Sequence, residues 1–317
     1  DYAFPSVVPD ATLQALPGSA NLFGGRSVVL KVVPSRTVQG MKFPGAKYGL
    51  KMACGENPKR VYGTRSVAPS TRMGNVAGYR AEWIKAEQYR RNWDKWFANQ
   101  KGAPPARDLG LETMAEALRG NILVQMHCYR ADEMAVMLDV AREFGYRIRS
   151  FHHAVEAYKI ADLLAQDSVS ASIWADWGGF KMEALDAVRA NLALVDQAGA
   201  RAVVHSDDPS GSQRLTQEAA KGLAAGRAIG LPLGEEDAIR WVTINPAWTL
   251  GLDDRIGSLE AGKNADVVLW SGDPFSVYTH TEKVWVDGAL LYDRGDPAAA
   301  WRTDFEQGYV PQPGGSR

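Results

Sequence analysis

Residues 121–153, NILVQMHCYRADEMAVMLDVAREFGYRIRSFHH, decide the fold. The apolar runs 121–127 and 147–153 are short, which predicts two buried strands. Between them, residues 131–145 carry apolar side chains at helical spacing. Two strands joined by a helix are typical of a right-handed βαβ unit in a parallel sheet. Each of these strands ends on histidine.

The same alternation extends along most of the chain. Strand-like apolar runs are separated by helical patterns of roughly 10–18 residues, which predicts an α/β fold on a parallel sheet. A length of 317 residues is ordinary for an α/β barrel. The predicted strands are 27–34, 48–60, 121–127, 147–153, 169–176 and 200–207, and the predicted helices are 81–99, 109–119, 131–145, 157–166, 181–199 and 214–229.

The sequence pattern changes near residue 250. Residues 251–294 contain strands and turns without helices, which predicts a small β module attached to an α/β body of residues 1–250. Residues 295–317 are predicted to form a C-terminal arm. Within the body, residues 1–25 predict a loop with one short helix, and residues 64–80 predict turns.

Composition narrows the function classes. Hydrophobic residues make up 45% and charged residues 23% of the chain, as in soluble globular proteins. A net charge of −1 gives no electrostatic case for binding nucleic acid or an anionic membrane, and no apolar run is long enough to span a bilayer. Two cysteines are too few for a disulfide framework. The chain starts without Met or signal-peptide features, so the compartment stays open between the cytoplasm and, for a longer exported precursor, the periplasm or exterior.

Histidines follow three of the predicted strands. His127 ends the first, His152 and His153 end the second, and His205 with Asp207 ends the third. The carboxyl ends of parallel strands open on one face, so these side chains are expected to converge. Imidazoles and a carboxylate together are typical ligands of a divalent transition metal. For any single histidine, a satisfied core residue is the alternative.

Other strand ends and loops supply further candidates. Lys51 lies in an apolar run, where a bare ammonium is costly, and Glu56 follows the same strand. Either could contribute to the metal site, or Lys51 could pair with an acid while Glu56 caps a turn. Arg60 could hold a substrate carboxylate or form a structural ion pair, and Tyr62 and Tyr129 lie in similar loops. His205 could also contact substrate.

Three stretches carry a resemblance to a known family. HHAVEAYKIADLLA, HSDDP and TINPAWTLGLDDRIGSLEAGKNADVVLWSGDPF resemble the metal-dependent amidohydrolase superfamily, close to its imidazolonepropionase-like branch, over about residues 27–293. The resemblance implies a (β/α)₈ barrel with one or two divalent metals, usually Zn²⁺, and a β-sandwich that includes residues 251–294. It identifies His127, His153 and Asp207 as metal ligands. It also identifies Lys51, when carbamylated, or alternatively Glu56, as a further ligand.

The chain departs from the family in one respect. The family's first barrel strand ends in His-x-His, and no such motif occurs here. The chain therefore resembles the C-terminal two-thirds of such a protein, with the first barrel strand missing. This predicts a companion chain or N-terminal fragment that supplies His-x-His and the rest of the sandwich, and an oligomeric assembly.

The function that follows is metal-assisted hydrolysis of a C–N bond in a peptide-like or cyclic amide. Asp207 is predicted to act as general base and then general acid for a metal-activated water. A deaminase of the same superfamily is one alternative, although no HxxE follows the strand that ends at His127. A non-catalytic assembly subunit, motivated by the missing His-x-His, is the other.

Overall fold

A computed structural model describes residues 11–207 and 209–297, and the side chains of residues 209 and 210 are not described. The strands are β1 Thr12–Ala15, β2 Phe23–Lys31, β3 Gly49–Ala53, β4 Leu123–His127, β5 Ile148–His152, β6 Ser170–Ile173, β7 Arg201–Val204, β8 Val267–Trp270, β9 Thr281–Val286 and β10 Ala289–Asp293. The α-helices are α1 Val38–Met41, α2 Glu56–Gly63, α3 Arg72–Asn99, α4 Leu109–Leu118, α5 Ala131–Phe144, α6 Ala161–Gln166, α7 Asn191–Gln197, α8 Pro209–Ser212, α9 Leu215–Ala228, α10 Glu235–Arg240 and α11 Ile244–Leu250. Short 3₁₀ helices span Ala157–Ile160 and Met182–Ala184.

Strands β1 to β7 form one sheet in chain order. The five strands β3 to β7 pair in parallel, whereas β1 and β2 join them in antiparallel pairing. Helices connect the parallel strands, so the mixed α/β class is confirmed and the sheet is consistent with a TIM-like barrel. The described residues contribute five of the eight parallel strands that the family resemblance implies, so three strands, rather than one, are not found among them.

The register of the parallel strands aligns polar residues on one face of the sheet. Lys51 pairs with Gln125, Gln125 with Ser150, and the next inward-facing row pairs His127 with His152. The alternate row, which includes Met52, Met126 and Phe151, belongs to the main apolar core. Because successive side chains of a strand point to opposite faces, this alternation places the apolar row under the helices and the polar row on the other face. That face carries the candidate site.

Two predictions near the N-terminal half are wrong in detail. Of the predicted loop and short helix over residues 1–25, residues 1–10 lie outside the described residues. Residues 11–25 contain no helix, and Thr12–Ala15 instead form strand β1, whose partner is β2. The turns predicted over 64–80 end at Thr71, because helix α3 begins at Arg72. The Thr71 side chain accepts a hydrogen bond from the Gly74 amide at the start of this helix. A capping side chain of this kind satisfies an otherwise unpaired amide at the helix start.

Two predicted elements are shorter than expected. The strand predicted over 48–60 ends at Ala53, since Gly55 adopts a positive φ of 78° and α2 begins at the next residue. The helix predicted over 181–199 is confined to α7, preceded by a 3₁₀ helix. The Asn191 side chain donates to the carbonyl oxygens of Ala154 and Val155, which fixes the start of α7 through tertiary contacts.

The last three strands form a separate antiparallel sheet in the order β10-β9-β8. It lies within the predicted module of residues 251–294, and the predicted arm is described only as far as residue 297. Lys31 of β2 forms an ion pair with Asp287 in the turn between β9 and β10, which links the two sheets. The division of the chain into domains stays a prediction. No helix in the described ranges is long and apolar enough to cross a bilayer.

Candidate metal centre

Three of the predicted site residues converge beyond the ends of β5 and β7. His153, His205 and Asp207 each offer one ligand atom, and these atoms lie within 4.8 Å of one another. His205 Nε2 lies 2.9 Å from His153 Nδ1, and an Asp207 carboxylate oxygen lies 3.7 Å from the same nitrogen. We call these three residues the histidine–aspartate group. Its donors are those that divalent transition metals prefer.

The backbone turns sharply at two members of this group. His153 directly follows β5, and both His153 and Asp207 have φ of 57°. Positive φ is uncommon for residues other than glycine and costs about 1–2 kcal/mol. Non-glycine residues held in this conformation concentrate at functional sites. The local backbone therefore directs both side chains into the group at an energetic cost.

Two more histidines lie beside the group. The His127 ring centroid lies 4.7 Å from that of His153, and Asn57 Nδ2 donates to His127 Nε2 over 3.1 Å. His152 Nε2 lies 2.7 Å from the Gln125 side-chain oxygen. The Nδ1 atoms of His127 and His152 are buried, and neither has a hydrogen-bond partner in the described structure. Such a nitrogen can bind a further ligand when it carries the lone pair, whereas in His127 the hydrogen bond from Asn57 places the lone pair on Nε2 and the proton on Nδ1.

All four histidines of this region are held in the neutral form. Burial lowers the pKa of His127, His152 and His153 well below the usual imidazole value, and the neighbouring cations and imidazoles lower it further. Burial also lowers the pKa of His205 to about 3. A neutral imidazole has a free lone pair, which is the form that binds a metal. The donor set therefore fits a divalent cation.

Lys51 lies on β3 at the same end of the sheet. Its side chain is buried, and burial lowers its pKa to about 8, while the Asp207 carboxylate opposes this shift. The amine is thus more easily deprotonated than an ordinary lysine. His127 is not among the three residues whose ligand atoms lie within 4.8 Å of one another.

Glu56 occupies the first turn of α2 and already has a partner. Its carboxylate lies 2.9 Å from Lys181 Nζ, and that nitrogen lies 4.0 Å from the centre of the Tyr129 ring. Tyr129 is buried, with its ring 4.7 Å from His127. Lys181 therefore connects Glu56 and Tyr129 at the edge of the histidine–aspartate group.

The remaining predicted site residues, Arg60 and Tyr62, lie further along α2. Arg60 is exposed, and the Tyr62 hydroxyl donates to the Asn21 side chain over 2.7 Å. The fifth histidine, His280, directly precedes β9 of the small sheet, and its Nε2 lies 2.8 Å from a Glu282 carboxylate oxygen. Asp208 lies outside the described residues.

Sequence reasoning missed an aromatic side chain in this region. Trp174 stacks on the His153 ring at 4.8 Å and on the His205 ring at 5.9 Å. Its indole nitrogen donates to the Ser206 carbonyl oxygen over 3.0 Å. Trp174 directly follows β6, as His153 and His205 follow their strands. Its position at a strand end could therefore have indicated that it lies at the site.

Sequence reasoning also missed a disulfide. Cys54 and Cys128 are bonded to each other, with Cα atoms 5.2 Å apart. They follow β3 and β4 directly, and Cys128 is the neighbour of His127. The disulfide therefore joins two adjacent strand ends of the site. The two cysteines allow only one pairing, and the signal was that each lies within or directly after a predicted strand of the same parallel sheet, although 74 residues separate them along the chain.

Comparisons with known proteins agree with this architecture. The chain matches the model of the amidohydrolase family over residues 22–292. It is 36% identical to "Amidohydrolase tasK" of Hapsidospora irregularis over 301 residues, which are 88% of this chain and 30% of that protein. The chain thus spans less than a third of the length of this relative.

Two further similarities bear on the fold and the branch. A crystal structure of an amidohydrolase from Thermotoga maritima is similar with a TM-score of 0.81 and 36% identity, over 90% of this chain and 72% of that one. The imidazolonepropionase of Bacillus cytotoxicus is 32% identical over 76 residues, 22% of this chain and 18% of that protein, which fits the predicted branch. With its strand-end histidines and aspartate, its sheet and the match over residues 22–292, this chain belongs to the amidohydrolase family.

Proposed function

We propose that the protein is a metal-dependent hydrolase that cleaves a C–N bond in a peptide-like or cyclic amide. The observation that carries the proposal is the convergence of His153, His205 and Asp207 beyond two parallel strands, with ligand atoms within 4.8 Å of one another. Membership of the amidohydrolase family supports hydrolysis of C–N bonds as the reaction class.

The residues present would hold a divalent cation, and we propose Zn²⁺, either one ion or two. When bound, such a cation polarises a carbonyl and lowers the pKa of water. His153 and His205 offer neutral nitrogens to it, and Asp207 offers a carboxylate oxygen. His127 belongs to the proposed set because its neutral ring lies 4.7 Å from that of His153 and carries a lone pair on one nitrogen.

Asp207 is proposed as the group that moves the proton. Its side chain is 52% exposed, so water and substrate can reach it, and its carboxylate lies 3.7 Å from His153 Nδ1. The carboxylate takes a proton from the water that attacks the amide carbon. It then returns that proton to the leaving nitrogen, which departs as a neutral amine.

Lys51 and Glu56 are proposed as alternative further ligands. The buried Lys51 amine has a pKa of about 8, which leaves a larger neutral fraction to react with carbon dioxide and form an anionic carbamate. Glu56 would have to give up its ion pair with Lys181 to bind a metal. The contacts therefore favour Lys51.

Four residues are proposed to contact substrate. Tyr129 presents its ring beside His127, and His205 lies within the histidine–aspartate group, so both adjoin the reacting bond. Arg60 is exposed on α2 and could pair with a substrate carboxylate, and Tyr62 lies on the same helix. A companion chain or N-terminal fragment, carrying His-x-His and the rest of the β-sandwich, is proposed to complete the site in an oligomer.

A substrate panel tests the proposed function. The Zn²⁺-loaded chain, alone and in the assembly that copurifies with it, is incubated with N-acyl amines, dipeptides and cyclic amides, and the released amine or ring-opened acid is quantified. The expected result is turnover that a chelator abolishes and that His153→Asn removes. His280→Asn, a matched change in the small sheet, is expected to keep full activity. No turnover of any member, or equal turnover by His153→Asn, would overturn the proposal.

A further inference from the structure

A second group of metal-ligating side chains lies where β3 and β4 end. The sulfurs of Cys54 and Cys128 and a carboxylate oxygen of Glu133 lie within 4.8 Å of one another. Glu133 is in the first turn of α5, which follows Cys128 closely in the chain. We call these three residues the cysteine–glutamate group. The two sulfurs are bonded to each other, and the carboxylate oxygen lies within 4.8 Å of both. Two ligands of one zinc ion can be at most about 4.6 Å apart, twice a Zn–S bond of ~2.3 Å.

The carboxylates around this group are not fully satisfied. Arg72 forms ion pairs with both Glu133 and Glu183, whose side chains are 13% and 3% exposed. Each carboxylate nevertheless keeps one buried oxygen, Oε2, without a hydrogen-bond partner in the described structure. Two acids that share one guanidinium leave negative charge in a buried place, which is costly unless a cation or a proton compensates it.

The unpaired oxygens point towards the cysteine segment. A Cβ placed on Gly55 would lie 3.0 Å from Glu133 Oε2 and 3.1 Å from Glu183 Oε2, and Gly55 directly follows Cys54. Glu183 lies in the 3₁₀ helix Met182–Ala184, within the part of residues 181–199 where the predicted α-helix does not form. Two elements distant in sequence thus bring acids to the same disulfide.

We propose that reduction of the Cys54–Cys128 disulfide creates a second metal site, in which the two thiolates and Glu133 bind a zinc-like cation and Glu183 lies beside it. Two thiolates and a carboxylate are a donor set typical of structural zinc. In the oxidised protein the sulfurs are bonded to each other and carry no thiolate charge, so they are poor ligands and the site is closed. The cation then replaces the S–S bond as the link between β3 and β4.

The chemistry balances with an external reductant. A water-soluble trialkylphosphine donates two electrons to the S–S bond, which breaks to give two thiols, and the phosphine becomes its oxide with oxygen from water. Binding of a divalent cation then displaces the two thiol protons into solution. Neither step involves the histidine–aspartate group.

Cobalt titration of the full chain tests the site, since Co²⁺ bound to thiolate absorbs in the near ultraviolet. Oxidised and phosphine-reduced protein are titrated with Co²⁺, and bound metal is counted after gel filtration. We expect one additional ion and a thiolate band in the reduced protein only. Reduced Glu133→Gln should bind this ion about tenfold or more weakly, by analogy with the loss of outer-shell partners. His153→Asn should keep the thiolate band.

Control experiments separate this site from structural damage. The double variant Cys54→Ala/Cys128→Ala should lose the additional ion, with folding checked by circular dichroism. The comparison of oxidised with reduced wild type needs no variant, so misfolding of a variant leaves the test intact. Equal cobalt content in folded oxidised and reduced protein, or an additional ion without a thiolate band, would overturn the proposal.

Discussion

The histidine–aspartate group and the cysteine–glutamate group occupy equivalent places in the sheet, but only the first has side chains in a form that can bind a metal. Both lie just beyond the ends of parallel strands, where the topology gathers side chains from distant parts of the chain. In the first, neutral imidazoles meet a carboxylate that is 52% exposed. In the second, a disulfide occupies the sulfurs and the neighbouring Glu183 is only 3% exposed. Strand ends thus collect ligands, and their protonation, oxidation and exposure decide which group is available for chemistry.

Asp207→Asn should produce the largest effect, a loss of kcat, and it tests the histidine–aspartate group. An amide cannot accept the proton of the attacking water, so kcat on the best substrate should fall by about 10²–10⁴-fold, the usual contribution of a general acid–base. Steady-state kinetics with metal counting separates this loss from loss of cation. Asp139→Asn, an exposed change on α5, is the matched control and should leave kcat unaltered. A kcat within twofold of wild type in Asp207→Asn would remove Asp207 from the proposed mechanism.

Removal of the disulfide should give the next largest effect, a loss of stability, and it tests the cysteine–glutamate group. Cys54→Ala/Cys128→Ala opens a link across 74 residues, which should lower the free energy of unfolding by about 2–4 kcal/mol. Urea denaturation of metal-free protein measures the change, and phosphine-reduced wild type should show a similar loss. A loss below about 1 kcal/mol would mean that the strand ends are held by packing rather than by the S–S bond.

The fold was predictable because its signal is local. Residues 121–153 carry helix and strand periodicities that tertiary contacts do not override, and β4, α5 and β5 begin and end within two residues of the predicted bounds. The helix prediction was wrong over residues 181–190 because tertiary contacts decide the structure there. Glu183 forms an ion pair with Arg72, and the Asn191 side chain donates to the carbonyl oxygens of Ala154 and Val155. Such contacts are between residues far apart in sequence and leave no periodic trace.

The candidate site was predictable only in part. The positions of the histidines at predicted strand ends indicated which imidazoles converge, because the carboxyl ends of parallel strands open on one face of the sheet. They did not predict that His205 offers a ligand atom within 4.8 Å of those of His153 and Asp207. The role of His127 as a ligand stays a prediction. The disulfide and the two acids around Gly55 depend on the lateral packing of strands and helices, which single-sequence patterns do not encode.

Gly55→Ala should have a smaller effect that tests the crowding of the two acids. The positive φ of 78° alone costs about 1–2 kcal/mol with a Cβ, and here the Cβ would also lie 2.9 Å from a Glu183 oxygen. Gly102→Ala is the matched control, since its φ is 77° and nothing lies within 4 Å of its Cβ position. Thermal unfolding should show a larger loss for Gly55→Ala than for Gly102→Ala. Equal losses would mean that Glu133 and Glu183 move aside freely.

The smallest expected effect concerns Asp196 on α7, whose carboxylate lies outside both groups. It tests how burial alone changes the pKa of a carboxyl group and the pH dependence of stability. Burial raises the pKa of Asp196 above the ordinary 3.8, and Arg240 opposes the rise. Because the folded state holds the proton more tightly than the unfolded state, this group contributes stability below pH 3.8, and that contribution is lost as the pH rises through the folded-state pKa. Asp196→Asn cannot ionise, so its unfolding free energy relative to wild type should increase over the same pH rise, as measured by urea denaturation at a series of pH values. A difference that stays constant with pH would mean that solvent reaches this carboxylate and that burial does not raise its pKa in the folded state.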